Sequence, residues 1–275
     1  MNRNHSFKLI SAVLFVFSAT FIINLDGVAN SKQRQSYLSP FVVQTRNETK
    51  SKSFFDQAQD ILYTKAVKPV INSERKNFTL EGWERGSGGL QDSDRLLLGE
   101  LYYNAQSVFE FGLGESTKIA SYVGVPRYAG VDNDPVWVSK ARNTALDHFR
   151  FTFADVGPSG AWGYPNDPSL QKNQFNYQFA PLIVERDPFD VYLVDGRYRL
   201  GCACAALLHA FSRGGDMSRV RVGIHDSYRP YEKEFLKVTD LEKKSDMLNV
   251  YKLKDGVTEE DVFNLWKQVA DQLQR

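Results

Sequence analysis

Apolar and polar positions alternate along this chain in blocks that indicate strands and helices in turn. Short apolar runs bounded by Gly, Pro, Asp or Asn have the composition of buried strands, whereas the segments between them repeat with the period of a helix. The predicted strands are 107–111, 128–131, 151–153, 189–194, 220–224 and 247–253. The predicted helices are 54–66, 116–123, 135 to about 149, 199–211, 232–236, 259–273 and one that Asp92 or Ser93 caps and that ends at Tyr103.

The regular alternation of strand and helix predicts the fold class. It is typical of a doubly wound, Rossmann-like α/β domain with a mostly parallel sheet and helices on both faces, whose ligands bind beyond the carboxyl ends of the strands. Residues 157–187 interrupt the alternation with a long polar and aromatic stretch, so we expect a lid there, with a helical part at about 170–179. Trp162, Tyr164 and Tyr177 either stack on a ligand ring or pack this lid onto the domain.

The first residues have the layout of a targeting segment. The basic residues Arg3, His5 and Lys8 precede an uncharged apolar run at 9–23, and polar residues follow. The small residues Gly27 and Ala29 favour a secretory signal peptide that is cleaved after Ala29. The alternative is a short signal anchor that stays in the membrane, although a run of about fifteen residues is shorter than the ~20 of a usual span.

Both alternatives place the rest of the chain in the secretory pathway, either secreted or as a lumenal domain on the ER or Golgi membrane. Asn47 and Asn77 begin glycosylation acceptor triplets, which agrees with that route. The predicted layout is a signal or anchor at 1–29, a polar stem with one helix at 30–80 and a globular domain at 81–275.

Charge and cysteine content argue against a nucleic-acid-binding protein, a disulfide and a cysteine metal site. The 275 residues include 34 Lys and Arg against 33 Asp and Glu, with no long basic run, so nucleic acid is not an expected partner. Cys202 and Cys204 lie two apart in an apolar helix and point to different sides, which suits neither a disulfide nor a metal pair. We expect them to be small buried residues.

Polar residues cluster at the ends of the predicted strands. Gly112 and Gly114 follow the first strand and allow a sharp turn and a close approach to a ligand. Asp132 ends the second strand, where an acid accepts hydrogen bonds from a ribose. This combination predicts a nucleotide cofactor. Thr117 stands where a dinucleotide-binding fingerprint has its third Gly, which disfavours NAD(P).

The residues from Glu110 to Thr117 read Glu-Phe-Gly-Leu-Gly-Glu-Ser-Thr, which resembles the S-adenosylmethionine-binding loop of class I methyltransferases. The resemblance covers roughly residues 96–236 and includes an Asp-Gly-Arg-aromatic-Arg segment at 195–199, similar to a poorly characterised methyltransferase-like group. It implies S-adenosylmethionine as the cofactor, with an acid near its amino group, one at its ribose and one at its adenine. The implied cofactor-binding residues are Glu110, Gly112, Gly114, Ser116, Asp132 and Asp155.

Asp195 and the pair His225-Asp226 end neighbouring predicted strands and are the candidate catalytic residues. In catechol O-methyltransferase-like enzymes, acids at these two strand ends hold a divalent cation. The resemblance therefore implies that Asp195 and Asp226 bind Mg²⁺ or another divalent cation, or that this group acts as a base. The structural alternatives are a helix cap for Asp195 and a buried, hydrogen-bonded histidine for His225. Arg197 and Arg199 either clamp a carboxylate or phosphate of the acceptor or pair with surface acids.

These expectations combine into one function. The sequence predicts an S-adenosylmethionine-dependent methyltransferase of the secretory pathway, acting on a hydroxyl or carboxyl of a small molecule or glycan. Two alternatives from other classes are an NAD(P)-dependent Rossmann oxidoreductase and a non-catalytic binding protein with a methyltransferase fold.

Overall fold

A computed structural model describes residues 74–86, 88–160, 163–227 and 232–271. The strands are β1 (Ser107–Phe111), β2 (Arg127–Asp132), β3 (Arg150–Phe153), β4 (Val191–Val194), β5 (Arg221–His225), β6 (Thr239–Lys244) and β7 (Leu248–Leu253). The helices are α1 (Asp92–Asn104), α2 (Glu115–Val123), α3 (Pro135–Thr144), α4 (Gln174–Gln178), α5 (Ala180–Val184), α6 (Arg199–Ser212), α7 (Glu232–Phe235) and α8 (Glu259–Val269), with a 3-10 helix at Pro168–Asn173.

The strands form one sheet in the order β3-β2-β1-β4-β5-β7-β6. β1 to β5 pair in parallel, whereas β7 runs antiparallel to both β5 and β6. This confirms the predicted doubly wound α/β class. The strand order reverses between β1 and β4, where Phe111 pairs with Val194. A ligand crevice forms at such a switch point, so the loops after β1 and β4 are the expected site.

Side chains of the central strands alternate between two cores. Val108 of β1 packs with α1 and α2 on one face of the sheet, and Phe109 and Phe111 pack with α6 and α8 on the other. Cys202 and Cys204 are free and fully buried in the second core, as the sequence predicted, and burial raises the pKa of both thiols. The two-residue period of β1 therefore places adjacent residues in different layers.

Three elements differ clearly from the sequence prediction. α8 ends at Val269 rather than at 273. α3 ends at Thr144 rather than near 149, because the backbone turns extended at Ala145 and Phe149 then stacks on Tyr128 with ring centroids 4.3 Å apart. β6 was not predicted, since five of its six residues are exposed. A polar edge strand carries no apolar pattern to detect, and its charges protect the edge from pairing with other chains.

The predicted lid contains the 3-10 helix, α4 and α5, which confirms a helical part near 170–179. It is packed onto the domain. Nε2 of Gln178 donates to the backbone oxygen of Ala270 at 2.8 Å, and the rings of Phe111 and Tyr177 meet edge to face at 5.9 Å. Trp162 lies outside the described residues.

The described residues before α1 also pack on the domain. The backbone nitrogen of Lys76 donates to the oxygen of Val123 at 3.1 Å, and the Phe78 ring meets the edges of Trp83 and Tyr122. The predicted helix at 54–66 and the segment 1–29 lie outside the part of the chain that is described. Within that part, no helix is long and apolar enough to cross a membrane.

Candidate functional site

The loop between β1 and α2 is fastened to the end of β2. Oδ2 of Asp132 accepts a hydrogen bond from the backbone nitrogen of Leu113 at 2.8 Å, and Oδ1 accepts one from Asp134 at 2.8 Å. The nitrogen of Gly112 donates to the oxygen of Val131 at 2.9 Å. Burial raises the pKa of Asp132 to about 6, so its carboxyl is largely ionised at neutral pH. Asp132 thus sets the shape of the loop that the sequence assigned to the cofactor.

The two loop glycines meet different requirements. Gly112 has a φ of +89°, and a Cβ there would lie 2.8 Å from the backbone oxygen of Asp195, in the turn after β4. Gly114 has an extended φ of −175°, and a Cβ there would meet no atom within 4 Å. The backbone contact requires glycine at 112, whereas position 114 borders open space where a ligand can approach the backbone.

Glu110 and Ser116 contact each other beneath the loop. Glu110 is fully buried and accepts hydrogen bonds from the Ser116 hydroxyl and, at 2.8 Å, from Oγ1 of Thr117. Burial raises the pKa of Glu110 to about 8, outweighing the two hydroxyls, and the nearby charges of Asp195 and Asp132 add to the rise. Glu110 therefore holds α2 against β1 in its neutral form. Its predicted contact with the cofactor stays a prediction.

Asp155 lies at the rim, just beyond β3. Its side chain is exposed, and Oδ1 accepts a hydrogen bond from the backbone nitrogen of Gly157 at 2.8 Å. The end of β3 is tied to the end of β2, since the nitrogen of Ala154 donates to the oxygen of Asp132 at 2.9 Å. Asp155 and Asp132 therefore border the same side of the crevice.

The predicted catalytic residues meet around Arg199. Nη2 of Arg199 lies 3.3 Å from Oδ1 of Asp195, and Nη1 lies 2.7 Å from Oδ2 of Asp226. Nδ1 of His225 lies 2.9 Å from the same Oδ1 of Asp195. The ends of β4 and β5 are therefore joined by two carboxylates, one imidazole and one buried guanidinium.

This arrangement changes the expected role of the acids. Arg199 occupies the position between Asp195 and Asp226 that the sequence assigned to a divalent cation. Among the described residues, no group of three or more His, Cys, Asp or Glu is arranged to hold a metal ion. The guanidinium already supplies the positive charge that two neighbouring carboxylates need.

His225 is a buried cation. Burial opposes its protonation, but the charge and hydrogen bond of Asp195, the polar contact with the Asp94 carboxylate and the charge of Asp226 outweigh burial and raise the pKa of His225 to about 10. Its Nε2 has no hydrogen-bond partner in the described structure and lies 3.8 Å from Oδ2 of Asp94. At neutral pH the ring keeps its proton, so His225 orients Asp195 and is not itself a free base.

Asp94 lies next to His225, and the sequence did not predict a role for it. Its Oδ1 accepts hydrogen bonds from Ser245 Oγ at 2.6 Å and from the backbone nitrogens of Met247 and Leu248. These bonds pin α1 to the β6–β7 hairpin. No sequence signal marks it, because its partners lie about 150 residues away along the chain.

Backbone strain is concentrated beside these groups. Tyr198 has a φ of 54° and Asp226 a φ of 57°. Among the described residues other than glycine, these two have a positive φ. Both follow the carboxyl ends of strands in the crevice, β4 and β5 respectively. Non-glycine residues in this region are strained by ~1–3 kcal/mol and are enriched at functional sites.

Two further polar groups lie beside the turn after β4 and lack hydrogen-bond partners among the described residues. The Tyr177 hydroxyl is buried and lacks a hydrogen-bond partner, and a Cβ on Gly196 would lie 1.9 Å from it. Arg197 is 8% exposed, and neither its Nε nor its Nη1 has a partner in the described structure. In the sequence, nothing separates the role of Arg197 from that of Arg199.

Comparisons with known proteins agree with this architecture. No protein-family model matches the chain, and no curated protein matches it. A solved methyltransferase-like protein of Silicibacter pomeroyi is 24% identical over 66% of this chain and 95% of its own, with a TM-score of 0.55. The chain shares the Rossmann-like α/β fold of this methyltransferase-like protein. A TehB-like SAM-dependent methyltransferase of Corynebacterium glutamicum is 15% identical over 61% of this chain and 91% of its own, with a TM-score of 0.36.

The described residues also form a cavity that lies away from the carboxyl ends of the parallel strands. It has a volume of about 530 Å³ and lies where β7 leads to α8, lined by Lys237, Asp255, Asp261, Asn264 and Gln268 among others. Because β7 runs antiparallel to β5, the end of β7 lies beside the start of β5. This cavity is therefore at the end of the sheet opposite the crevice. The candidate site is therefore the crevice beyond β1, β2, β4 and β5.

Proposed function

We propose that the protein is an S-adenosylmethionine-dependent methyltransferase that acts on a hydroxyl or carboxyl of a small molecule or a glycan. The observation that carries the proposal is the loop after β1. Asp132 fastens this loop at Leu113, and the backbone at Gly114 borders open space. The shared fold with a methyltransferase-like protein supports the same conclusion.

The charges around the loop favour a cationic cofactor over a dinucleotide. Asp132 and Asp195 border it, and their charges are among the causes that raise the pKa of Glu110. A pyrophosphate needs donors and positive charge at this helix start, whereas a sulfonium and an ammonium group are attracted by carboxylates. Thr117, at the place of the third glycine, turns its hydroxyl to Glu110. These contacts make NAD(P) the weaker candidate.

The residues present fit the cofactor that the resemblance implies. Asp132 and the backbone at Gly114 would hold it, and Asp155 borders the same side. When bound, S-adenosylmethionine supplies an electrophilic methyl group on a sulfonium centre. Asp195 is the predicted catalytic residue nearest the loop, since its backbone contacts Gly112. His225 and Arg199 both contact Oδ1 of Asp195, which fixes this carboxylate to orient an acceptor hydroxyl through a hydrogen bond.

Calorimetric titration of the full-length protein with S-adenosylmethionine and S-adenosylhomocysteine tests the cofactor. Gly114→Ala adds a methyl group to the open space without touching other atoms, so we expect unchanged thermal stability and at least about tenfold weaker binding. Gly256→Ala is the control. Its methyl group also meets no atom within 4 Å, and the site lies at the opposite end of the sheet, so affinity should not change. Its φ of +80° makes the substitution strained, so a loss of thermal stability is expected in this control only.

Three results would contradict the proposal. Folded wild-type protein that binds neither ligand would favour a non-catalytic binding protein. Tight NAD(P)H binding, measured by nicotinamide fluorescence, would favour an oxidoreductase. Binding without transfer of a radiolabelled methyl group to any member of a panel of hydroxylated and carboxylated acceptors, glycans included, would argue against catalysis.

The proposal includes a location in the secretory pathway. It rests on the basic, apolar and polar order of residues 1–29 and on the acceptor triplet at Asn77, whose side chain is exposed. Expression in cells with an intact secretory pathway, followed by glycosidase digestion, tests it. An Asn77→Gln variant should migrate faster than wild type, and an undigested wild type that migrates like the variant would contradict glycosylation there.

A further inference from the structure

Arg197 is a buried arginine, and two of its three guanidinium nitrogens have no hydrogen-bond partner among the described residues. It lies three residues after the end of β4, and only 8% of its surface is exposed. Neither its Nε nor its Nη1 has a hydrogen-bond partner in the described structure. Leaving a buried charged group unpaired is costly, and native proteins keep such a group mainly where a ligand completes it. The neighbouring Arg199 differs, because it contacts Asp195 and Asp226.

The surroundings of Arg197 hold its guanidinium in a defined orientation. The guanidinium carbon lies 4.4 Å from the ring centroid of Tyr164, so one face of the group is covered by the ring. Its backbone oxygen accepts a bond from the Cys202 thiol at 3.4 Å, and the next residue, Tyr198, has the strained φ of 54°. A ring on the face of a guanidinium leaves the N–H donors at its edge available, and those donors match the oxygens of a carboxylate or phosphate.

Tyr177 adds a second donor beside Arg197. Its ring is 1% exposed and its hydroxyl, which lacks a partner, lies against Gly196, the residue before Arg197. Burial is the largest cause that raises the pKa of Tyr177, while the charge of Arg197 lowers it. The phenol therefore stays protonated and able to donate.

The nearby acids do not neutralise this pair. Asp132 is engaged by the backbone nitrogens of Leu113 and Asp134, and Asp195 by His225 and Arg199. Both carboxylates also lie near Tyr177, and their charges help to raise its pKa. The guanidinium of Arg197 therefore has to offset their negative charge when an anion binds here.

We propose that Arg197 and the Tyr177 hydroxyl bind an anionic group, a carboxylate or a phosphate, of the methyl acceptor. This rests on the proposed methyltransferase function and narrows its substrate class to anionic acceptors. The anion lies beside the turn after β4, at Gly196. Neutral acceptors of the same shape bind more weakly, because they leave the buried guanidinium unpaired.

The test compares ligands that differ in charge and little in shape. Full-length protein, with and without saturating S-adenosylhomocysteine, is titrated calorimetrically with benzoate, phenyl phosphate and neutral benzamide. We expect the two anions to bind more tightly than benzamide. Arg197→Met should weaken anion binding by roughly 10- to 100-fold and Tyr177→Phe by roughly 3- to 10-fold, with little change for benzamide.

Matched variants separate this site from general effects of charge or folding. Arg219→Met removes the same charge from an exposed position and should leave every affinity unchanged. Arg197→Lys keeps the charge without the planar fork and should give an intermediate affinity. Thermal unfolding of each variant confirms that it is folded, and S-adenosylhomocysteine affinity should be unchanged throughout.

Two outcomes would overturn the proposal. Equal binding of benzoate and benzamide by wild type would show that the site does not recognise charge. A loss of S-adenosylhomocysteine affinity in Arg197→Met, with anion binding retained, would assign the arginine to the carboxylate of the cofactor. If wild type binds the anions through Arg197 but does not bind S-adenosylhomocysteine, the proposed cofactor fails while the anion site is supported.

Discussion

Nδ1 of His225 lies 2.9 Å from Oδ1 of Asp195, and this contact joins the ends of two neighbouring parallel strands. Arg199 contacts the same carboxylate oxygen and also Asp226. Two buried cations therefore fix Asp195 in the turn whose backbone touches Gly112. The contact makes the geometry of the proposed acceptor side depend on the protonation of His225.

His225 gives stability a defined pH dependence. Its folded-state pKa of about 10 exceeds the ordinary value of 6.5, so its contribution is complete below pH 6.5 and is lost as pH rises to about 10. At pH 6, His225→Gln should lower the free energy of unfolding by about 3 kcal/mol. The difference between wild type and variant, measured by urea unfolding, should shrink toward pH 10. A constant difference for His225→Gln would contradict the buried ion pair.

Two glutamates near the start of α2 should respond to pH in opposite ways. Burial raises the folded-state pKa of Glu110 from 4.5 to about 8, so its contribution to stability is lost as pH rises between these values. Glu110→Gln keeps the shape and removes this dependence, so its stability relative to wild type should increase from pH 5 to pH 8.5. Urea unfolding at both pH values measures this change.

Glu115 is the matched control for Glu110. Burial acts to raise its pKa, but the hydrogen bonds from Arg95 at 2.7 and 2.9 Å and from Trp83 outweigh burial and lower it. Its contribution is therefore present above the ordinary pKa and lost as pH falls through the lowered one. Glu115→Gln should destabilise the protein by roughly 3 kcal/mol at pH 7, because it leaves Arg95 without its buried partner. Equal effects of the two substitutions at pH 8.5 would contradict the assigned charges.

Gly112→Ala should impair folding. The substitution places a Cβ 2.8 Å from the Asp195 backbone oxygen at a φ of +89°. Steric conflict with backbone and left-handed strain together should cost about 2–4 kcal/mol of unfolding free energy, measured by denaturant titration. Gly114→Ala is the comparison, since it should keep wild-type stability. Similar stability losses in both variants would show that the loop backbone differs from the one described.

Methyl transfer should not depend on a divalent cation at Asp195 and Asp226. The reason is that Arg199 already lies between the two carboxylates. Activity measured in EDTA and in added Mg²⁺ or Mn²⁺ should be the same. Activity that EDTA abolishes, Mg²⁺ restores and Asp226→Ala removes would reinstate the metal prediction. Arg199→Met should lower the unfolding free energy by about 3–5 kcal/mol, because it leaves the buried pair unbalanced.

The sequence alone predicted six of the seven strands well but not the edge strand β6. β1 has the predicted bounds, and β2, β4 and β5 differ by one or two residues at either end. These strands are buried on both faces, so their apolar runs are continuous and easy to recognise. β6 lies at an edge and is polar, so its pairing with β7 depends on neighbours that its own residues do not reveal.

The sequence also determined which loop to inspect, but tertiary structure decided what each side chain there does. Gly112, Gly114 and Asp132 follow from local motif spacing, because a strand, a tight turn and a helix start are set within a few residues. Glu110 turns inward because α2 presents two hydroxyls to it. Arg197 and Arg199 are alike in sequence, and only the meeting of β4, β5 and the lid gives one of them carboxylate partners and leaves the other with unused donors.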